Sequence, residues 1–156
     1  EKQVLSAPMD VETLNKNMQQ LNFSDLRGGK LFCDQFDDVR LGDREKFVAG
    51  NSFEITVKGQ VMGIAKILTV YSFPFIKLND AVSMRTYGKG ANYMAAILKR
   101  FYDCPENPIR PDTKMDQIVF QYTYREIENQ RILLQEWWRL KEEQQPFYTG
   151  QTKMEF

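Results

Sequence analysis

The chain has 156 residues, of which 42% are hydrophobic and 27% are charged, with 21 basic and 21 acidic side chains. The length favours one domain with or without an appendage, and a net charge of zero lacks the basic excess typical of proteins that coat nucleic acids. No histidine is present, which excludes Ser-His-Asp and Cys-His catalytic groups and zinc sites of the Cys/His type.

The first predicted elements are an arm and a helix. Residues 1–9 have no periodic pattern, whereas apolar residues recur at helical spacing over 11–21, behind the N-cap residue Asp10. The segment 23–30 then begins a helical turn that its glycine pair breaks. The segment 31–36 is predicted to be extended.

The middle of the chain predicts a β-hairpin. Apolar and polar residues alternate over 53–57, which indicates a half-buried strand, and a short strand is predicted before it over 46–49. Gly59 marks a tight turn, and the β-rich run 61–71 supplies the second strand of the hairpin.

The remaining elements alternate between helix and strand. Asn79 or Asp80 is a suitable cap for the start of the first helix, and Gly88 for its end. The predicted elements are a helix over 81–86, a helix over 91–102, a strand over 118–124 and a long helix over 125–145.

The last helix carries an apolar surface. Ile127, Leu134 and Trp138 share one face, and Leu133 and Trp137 lie beside it. Adjacent residues on a helix are about 100° apart, so the tandem tryptophans cannot both occupy one narrow stripe. This helix either packs onto the domain or, with Leu134, Trp137 and Trp138, docks a protein partner or a second copy of the chain.

The order of these elements resembles an ASCH domain, a branch of the PUA-like fold. The resembling stretches lie between residues 23 and 122 and are Gly28-Gly29-Lys30, Leu41-Gly42-Asp43, 61–67, 78–81, Tyr87-Gly88, 98–102 and 118–120. The resemblance implies an α+β fold, with a small PUA-like β-barrel, flanking helices, a cleft between them and here an added C-terminal helix. It divides the chain into an N-terminal arm and helix over 1–22, an ASCH/PUA-like domain over 23–124, and a C-terminal helix and tail over 125–156.

The resemblance also implies a function. ASCH domains are suspected of binding RNA, and some members cleave RNA or hydrolyse acetylated cytidine. The family's cleft lysine follows a glycine turn, and Lys30 matches it. Hydrolytic members have a threonine three residues later and a glutamate near the middle-helix turn, whereas this chain has Cys33 and no acid over 84–88. An enzymatic activity is therefore uncertain.

The expected ligand residues combine backbone access, positive charge and an aromatic face. They are Gly28, Gly29, Lys30, Cys33, Arg85, Tyr87 and Lys89. Glycines let backbone N–H groups approach an anion, cations position phosphates, and an aromatic ring can stack on a base. Solvated turn and helix positions would explain the same residues without a ligand.

These features predict a non-catalytic binding module for RNA or a nucleotide. The alternatives are a structural or assembly protein, of cellular or viral origin, that acts through its C-terminal helix, and a hydrolase of RNA or a modified nucleoside. No metal or cofactor is expected, and Cys33 and Cys104 are predicted to be reduced, partly buried thiols. A cytoplasmic location without membrane contact is expected, because no apolar run approaches about 20 residues and residues 1–8 lack signal-peptide features.

Overall fold

The computed structural model describes residues 18–144. Within this range the strands are β1 (Gln20–Phe23), β2 (Gln35–Leu41), β3 (Ser52–Val57), β4 (Gln60–Pro74) and β5 (Lys114–Arg125). The α-helices are α1 (Asp80–Tyr87), α2 (Ala91–Tyr102) and α3 (Ile127–Gln144). Two short 3-10 helices complete the chain: Arg27–Phe32, which we name the glycine turn, and Phe75–Lys77.

The strands form one curled sheet in the order β1-β3-β4-β5-β2. β1 runs parallel to β3, and the other neighbouring pairs are antiparallel. The edge strands β1 and β2 approach each other, because Arg40 Nη2 donates to the Asn22 carbonyl at 3.0 Å and the Phe23 and Phe36 rings lie 6.1 Å apart. The sheet is thus a half-barrel whose two edges are joined by side chains.

Each face of the half-barrel has its own core. Phe36, Phe53 and Phe120 pack on one face with other buried apolar residues, and Leu133 of α3 belongs to the same cluster. The opposite face is covered by α2, whose Met94 forms a second cluster. Successive residues of a strand point to opposite faces, so a strand of the half-barrel can contribute residues to both clusters.

The N-terminal strand β1 includes the last two residues of the segment 11–21, for which the sequence predicts a helix. Residues 1–17 lie outside the described range, but Gln20 and Leu21 belong to β1, so the helix prediction is wrong there. Leu21 pairs with Ile55 of β3 and is buried, as is Phe23. Leu21 and Phe23 have the spacing of two residues that is typical of a strand, and the edge of β3 is available for pairing. These two factors favour a strand here over the helix that the spacing over 11–21 predicts.

Two other local predictions are also wrong. The segment 46–49 is a turn rather than a strand, because Asp43 accepts from the backbone N–H of Lys46 at 3.0 Å and from that of Phe47 at 2.9 Å. The segment predicted as extended over 31–36 becomes a strand only at Gln35, because the glycine turn continues to residue 32.

Strand β3 is buried on both faces and not half-buried as predicted. Its polar residues Glu54 and Thr56 are as inaccessible as its apolar ones. β3 lies between β1 and β4, and the Glu54 carboxylate accepts from Gln20 Nε2 of β1 at 2.5 Å. Glu54 and Thr56 are therefore buried because β3 is a central strand with polar partners, although their alternation with apolar residues predicts exposure.

The helix termini follow their local signals. The Asn79 side chain accepts from the backbone N–H of Val82 at 3.0 Å and caps α1, while Gly88 ends it in the left-handed conformation at φ 71°. The two cysteines differ from expectation, because Cys33 and Cys104 are free and exposed rather than partly buried. Cys33 follows the glycine turn, and Cys104 lies in the loop after α2, outside both cores.

Helix α3 packs through a different face from the one formed by Ile127, Leu134 and Trp138. The Gln130 side chain donates to the Met62 carbonyl at 2.6 Å, which sets the rotation of the helix. As a result Leu133 is buried, while Ile127, Leu134 and Trp138 are exposed. The first tryptophan, Trp137, packs on the glycine turn, as described with the site below.

The β3–β4 hairpin turn contains a left-handed lysine. Lys58 and Gly59 have φ values of 50° and 82°, which suits the mirror-image turns that join antiparallel strands. A left-handed backbone costs about 1–2 kcal/mol in most L-residues and less in asparagine. We predict that Lys58→Asn raises the free energy of unfolding by on the order of 1 kcal/mol in urea titrations.

Lys66→Asn is the matched control for this prediction. Lys66 is exposed within β4, where asparagine is unfavourable, so this variant should gain no stability. Equal or lower stability of Lys58→Asn relative to the parent chain would contradict the strain at the turn.

Candidate functional site

A cleft of about 450 Å³ lies where the two edges of the half-barrel meet the helices. Its walls come from β1, β2, the β3–β4 turn and the ends of α1 and α2. The first residue of the glycine turn, Arg27, also lines it. The cleft therefore occupies the position between barrel and helices that the sequence resemblance implies.

A buried carboxylate organises the floor of the cleft. Asp38 is only 1% exposed and accepts from Arg27 Nη1 at 2.7 Å and from Arg40 Nε at 2.7 Å. We name Arg27, Asp38 and Arg40 the cation cluster. Because a buried charge must be paired and hydrogen-bonded, the two arginines are required by this carboxylate.

Aromatic rings hold the two guanidinium groups in place. The Arg27 guanidinium carbon lies 4.4 Å from the centre of the Tyr87 ring and 5.0 Å from that of Phe23. The Arg40 guanidinium carbon lies 4.8 Å from the same Phe23 ring. These cation–π contacts fix both arginines at the cleft.

The cleft has more positive than negative charge. The described lining contains three cations, Arg27, Arg40 and Lys58, and one carboxylate, Asp38. Within residues 18–144, Arg27 Nη2 and Arg40 Nη1 have no hydrogen-bond partner, so each guanidinium keeps donors for a ligand. An anion would therefore find both charge and free N–H groups.

The phenols that line the cleft are neutral at physiological pH. Burial raises the pKa of Tyr87 to about 12, with a further increase from Asp38 and an opposing effect of Arg27. Burial likewise raises the pKa of Tyr102. Burial is the largest single effect on the pKa of Arg27 and lowers it, but Asp38, Tyr87 and Asp25 together raise this pKa above its ordinary value. The cleft thus combines charged guanidinium groups with neutral aromatic rings.

Lys30 does not line the cleft. Its amine donates to Asp37 Oδ1 at 2.7 Å and to the backbone carbonyl of Arg85, so it joins the glycine turn to β2 and to the end of α1. Asp37 also accepts from Gln117 Nε2 at 3.0 Å. Lys30 therefore uses its charge inside the protein, where it positions α1.

The other predicted ligand residues are dispersed. Tyr87 lines the cleft, while Cys33, Arg85 and Lys89 do not. The Lys89 amine lies 5.8 Å from the centre of the Tyr93 ring, on the connection between α1 and α2. The structure therefore brings Tyr87 to the cleft and leaves these three residues outside it.

The two predicted glycines lie at or beside a second cavity of about 340 Å³, which we name the tryptophan groove. Gly28 lines it, together with Trp137 and Lys141 of α3. A Cβ at Gly29 would lie 3.5 Å from the Trp137 ring, so the ring packs closely against this glycine. Arg27 and Lys58 line both the cleft and the groove.

Sequence reasoning missed the cation cluster. The extended segment predicted over 31–36 ends before Asp38, although Phe36, Asp38 and Arg40 alternate in the way expected for one face of a strand. A buried aspartate on that face requires a cation, and Arg40 is its nearest candidate in sequence. Arg27 had a weaker signal, because its partner lies 11 residues away across a turn.

Comparison with solved structures identifies the fold. The chain is similar to a protein from Enterococcus faecalis V583 of the DUF984 family model, at 17% identity, over 69% of this chain and 72% of that one, with a TM-score of 0.55. It is also similar to an ASCH domain from Lactobacillus crispatus JV V101, at 13% identity, over 74% and 87%, with a TM-score of 0.53. The fold is of the ASCH type.

The comparison confirms the expected fold class, an α+β PUA-like fold with an added C-terminal helix. At these identities the ASCH-type similarity concerns the fold alone. No family model matches the chain, and no curated protein does. In the described part, no helix is long and apolar enough to cross a membrane, and no group of three or more potential metal ligands occurs.

The raised pKa of Tyr87 predicts a pH effect on stability. From pH 10 to about 12 the unfolded chain loses this proton while the folded chain keeps it, so the free energy of unfolding falls as pH rises. We predict a shallower fall for Tyr87→Phe, measured by urea denaturation at several alkaline pH values. Similar stability of the two proteins at pH 7 provides the reference, and parallel curves above pH 10 would contradict the prediction.

The ion pair of Lys30 predicts an effect on stability. Lys30→Ala leaves the buried Asp37 carboxylate with Gln117 as its described partner. The Lys30 side chain is 28% exposed, so we expect a loss of about 2 kcal/mol, less than the about 3–5 kcal/mol of a fully buried pair. Adding Asp37→Asn should restore part of this loss in a double-mutant cycle, and additive losses would contradict the pairing.

Proposed function

We propose that this chain is a non-catalytic binding module that holds a segment of single-stranded RNA, or a nucleotide, in the cleft. The observation that carries the proposal is the pair of guanidinium groups, Arg27 and Arg40, that share one carboxylate beside aromatic rings. Charge and aromatic surface at one place are what a nucleotide requires, because it combines a phosphate with a flat base.

The phosphate would lie against the cationic wall. Arg27 and Arg40 have unpaired N–H donors in the described structure, and Lys58 adds a third charge at the exposed turn. Guanidinium groups donate to phosphate in a fixed geometry, while lysine acts as a point charge. We assign the phosphate-binding role to these residues rather than to Lys30.

The base would lie against the helix side of the cleft. Phe101 of α2 is 55% exposed and lines the cleft with Tyr87 and Tyr102. An exposed aromatic ring beside a cationic wall is a suitable stacking surface, and stacking contributes about 1–3 kcal/mol per base. The neutral phenols can also exchange hydrogen bonds with base edges.

A non-catalytic role is supported by the state of the carboxylate. Asp38 is buried and accepts hydrogen bonds from both arginines, so the interactions of its carboxylate are made inside the protein. A general base needs a carboxylate or amine that reaches the substrate. The cleft geometry favours holding a ligand over transferring a proton.

Binding can be measured by fluorescence anisotropy with a labelled hexauridylate RNA. We predict that affinity falls as salt rises, with a slope of log K against log salt of about −2 for three cations on a single strand. Phe101→Ala should weaken binding about tenfold, in line with one lost stacking contact. Its control is Tyr71→Ala, an exposed aromatic residue on β4 outside the cleft.

Two results would contradict this proposal. Absence of binding at low salt would remove the ligand class altogether. Equal losses in Phe101→Ala and Tyr71→Ala would place binding elsewhere on the protein.

The exposed face of α3 supports a second candidate function, self-association or docking of a partner protein. Leu134 and Trp138 face solvent, and Trp138 is 54% exposed. Exposed apolar residues on one side of a helix are typical of docking surfaces. Light scattering of the full chain, compared with Trp138→Gln, tests self-association, because only a helix-mediated oligomer would lose mass in the variant.

A further inference from the structure

The cleft and the tryptophan groove are neighbours that share a ridge. Arg27 and Lys58 line both cavities, with Arg27 at the start of the glycine turn and Lys58 at the tip of the β3–β4 hairpin. A ligand that leaves the cleft past these two side chains therefore enters the groove directly. Both side chains on the ridge are cations.

The backbone of the ridge is strained. Arg27 and Lys58 have φ values of 52° and 50°, and within residues 18–144 they are the non-glycine residues with positive φ. This conformation is unfavourable for long side chains. Strained residues cluster at functional positions, because the strain persists only where the position is otherwise required. These two residues coincide with the shared wall of the two cavities.

The groove offers a further surface for a base. The Trp137 ring is half-buried and rests on the glycine turn, 3.5 Å from the Cβ position of Gly29, so it is held firmly. The Lys141 amine lies 5.4 Å from the centre of this ring, on an exposed side chain. Aromatic ring and cation again occur together, as in the cleft.

The groove also contains two opposing charges. Asp25 lines the groove and pairs with Arg27 Nε at 3.4 Å. Glu136 also lines the groove and has no ion-pair partner in the described residues, since the nearby Arg139 pairs with Glu143 at 2.5 Å. An unpaired carboxylate beside a bound phosphate weakens binding. Glu136 therefore limits the affinity of the groove for a strand and provides a test of what enters it.

We propose that the ligand is a single strand of at least two nucleotides that crosses the ridge. One base lies in the cleft against Phe101, the linking phosphate lies at Arg27 and Lys58, and the next base lies in the groove against Trp137. This inference rests on the proposed function and narrows its ligand to an oligonucleotide, for which a mononucleotide fills only half of the site. It also gives α3 a direct role in binding.

The ridge predicts opposite effects of one substitution on stability and on binding. Lys58→Asn relieves the left-handed strain but removes the ridge cation. The variant should therefore be more stable and yet bind hexauridylate more weakly. Because the variant gains stability, weaker binding cannot be attributed to unfolding.

The experiment compares uridine 5′-monophosphate, the dinucleotide UpU with a 5′-phosphate, and hexauridylate on the full chain by calorimetry. We expect affinity to rise about tenfold or more from the mononucleotide to the dinucleotide, as one further stacking contact and one phosphate are added. Lys141→Ala should weaken dinucleotide binding while leaving the mononucleotide unchanged. Glu136→Gln should tighten it about two- to fivefold, whereas Glu142→Gln, outside the groove, should not.

Tryptophan fluorescence reports directly on the groove. The chain has two tryptophans, so Trp138→Phe leaves Trp137 as the single reporter. Its emission should change with the dinucleotide and hexauridylate and not with the mononucleotide.

The outcomes separate this inference from the proposed function. If none of the three probes binds, the proposed function itself fails. If all three bind with equal affinity and Trp137 emission stays constant, cleft binding stands and the crossing strand is refuted. A hexaglutamate peptide that alters Trp137 emission, in the absence of any change with hexauridylate, would assign the groove to an acidic protein segment and refute it as well.

Discussion

The buried carboxylate of Asp38 is the constraint on which the rest of the site depends. A charge in this position is tolerated only when it is paired and hydrogen-bonded, and here two arginines satisfy it. Each arginine in turn holds a further element, since Arg40 donates to the Asn22 carbonyl of β1 and Arg27 lies over the Tyr87 ring of α1. One carboxylate thereby joins both edges of the half-barrel to the helices.

The same arrangement creates the surface that we propose for binding. The cleft lining has three cations and one carboxylate, Asp38, while Arg27 also pairs with Asp25 outside the lining at 3.4 Å. The chain as a whole has no net charge, so this surplus is local and depends on the fold. Both Arg27 and Lys58 have a left-handed backbone, which costs stability in these residue types. In the proposed function, the fold and the binding of the ligand therefore depend on the same few side chains.

Short-range sequence signals predict much of the fold but little of the candidate site. The cap at Asn79 and the left-handed Gly88 set the ends of α1 correctly, because both act over a few residues. β1 and the rotation of α3 depended on contacts with distant strands, such as Gln130 with Met62, which no local pattern contains. The resemblance predicted a ligand role for Lys30, but its amine pairs with Asp37, and the cleft cations Arg27 and Arg40 come together only in the folded chain.

The most direct test follows the guanidinium groups themselves. In ¹⁵N–¹H spectra the side-chain Nε–Hε resonances of Arg27 and Arg40 can be assigned by substitution and followed while hexauridylate is added. If the cation cluster binds the strand, both resonances shift and reach saturation together with the binding curve. Resonances that stay fixed while RNA binds would show that the buried pair serves the fold alone and would contradict the account.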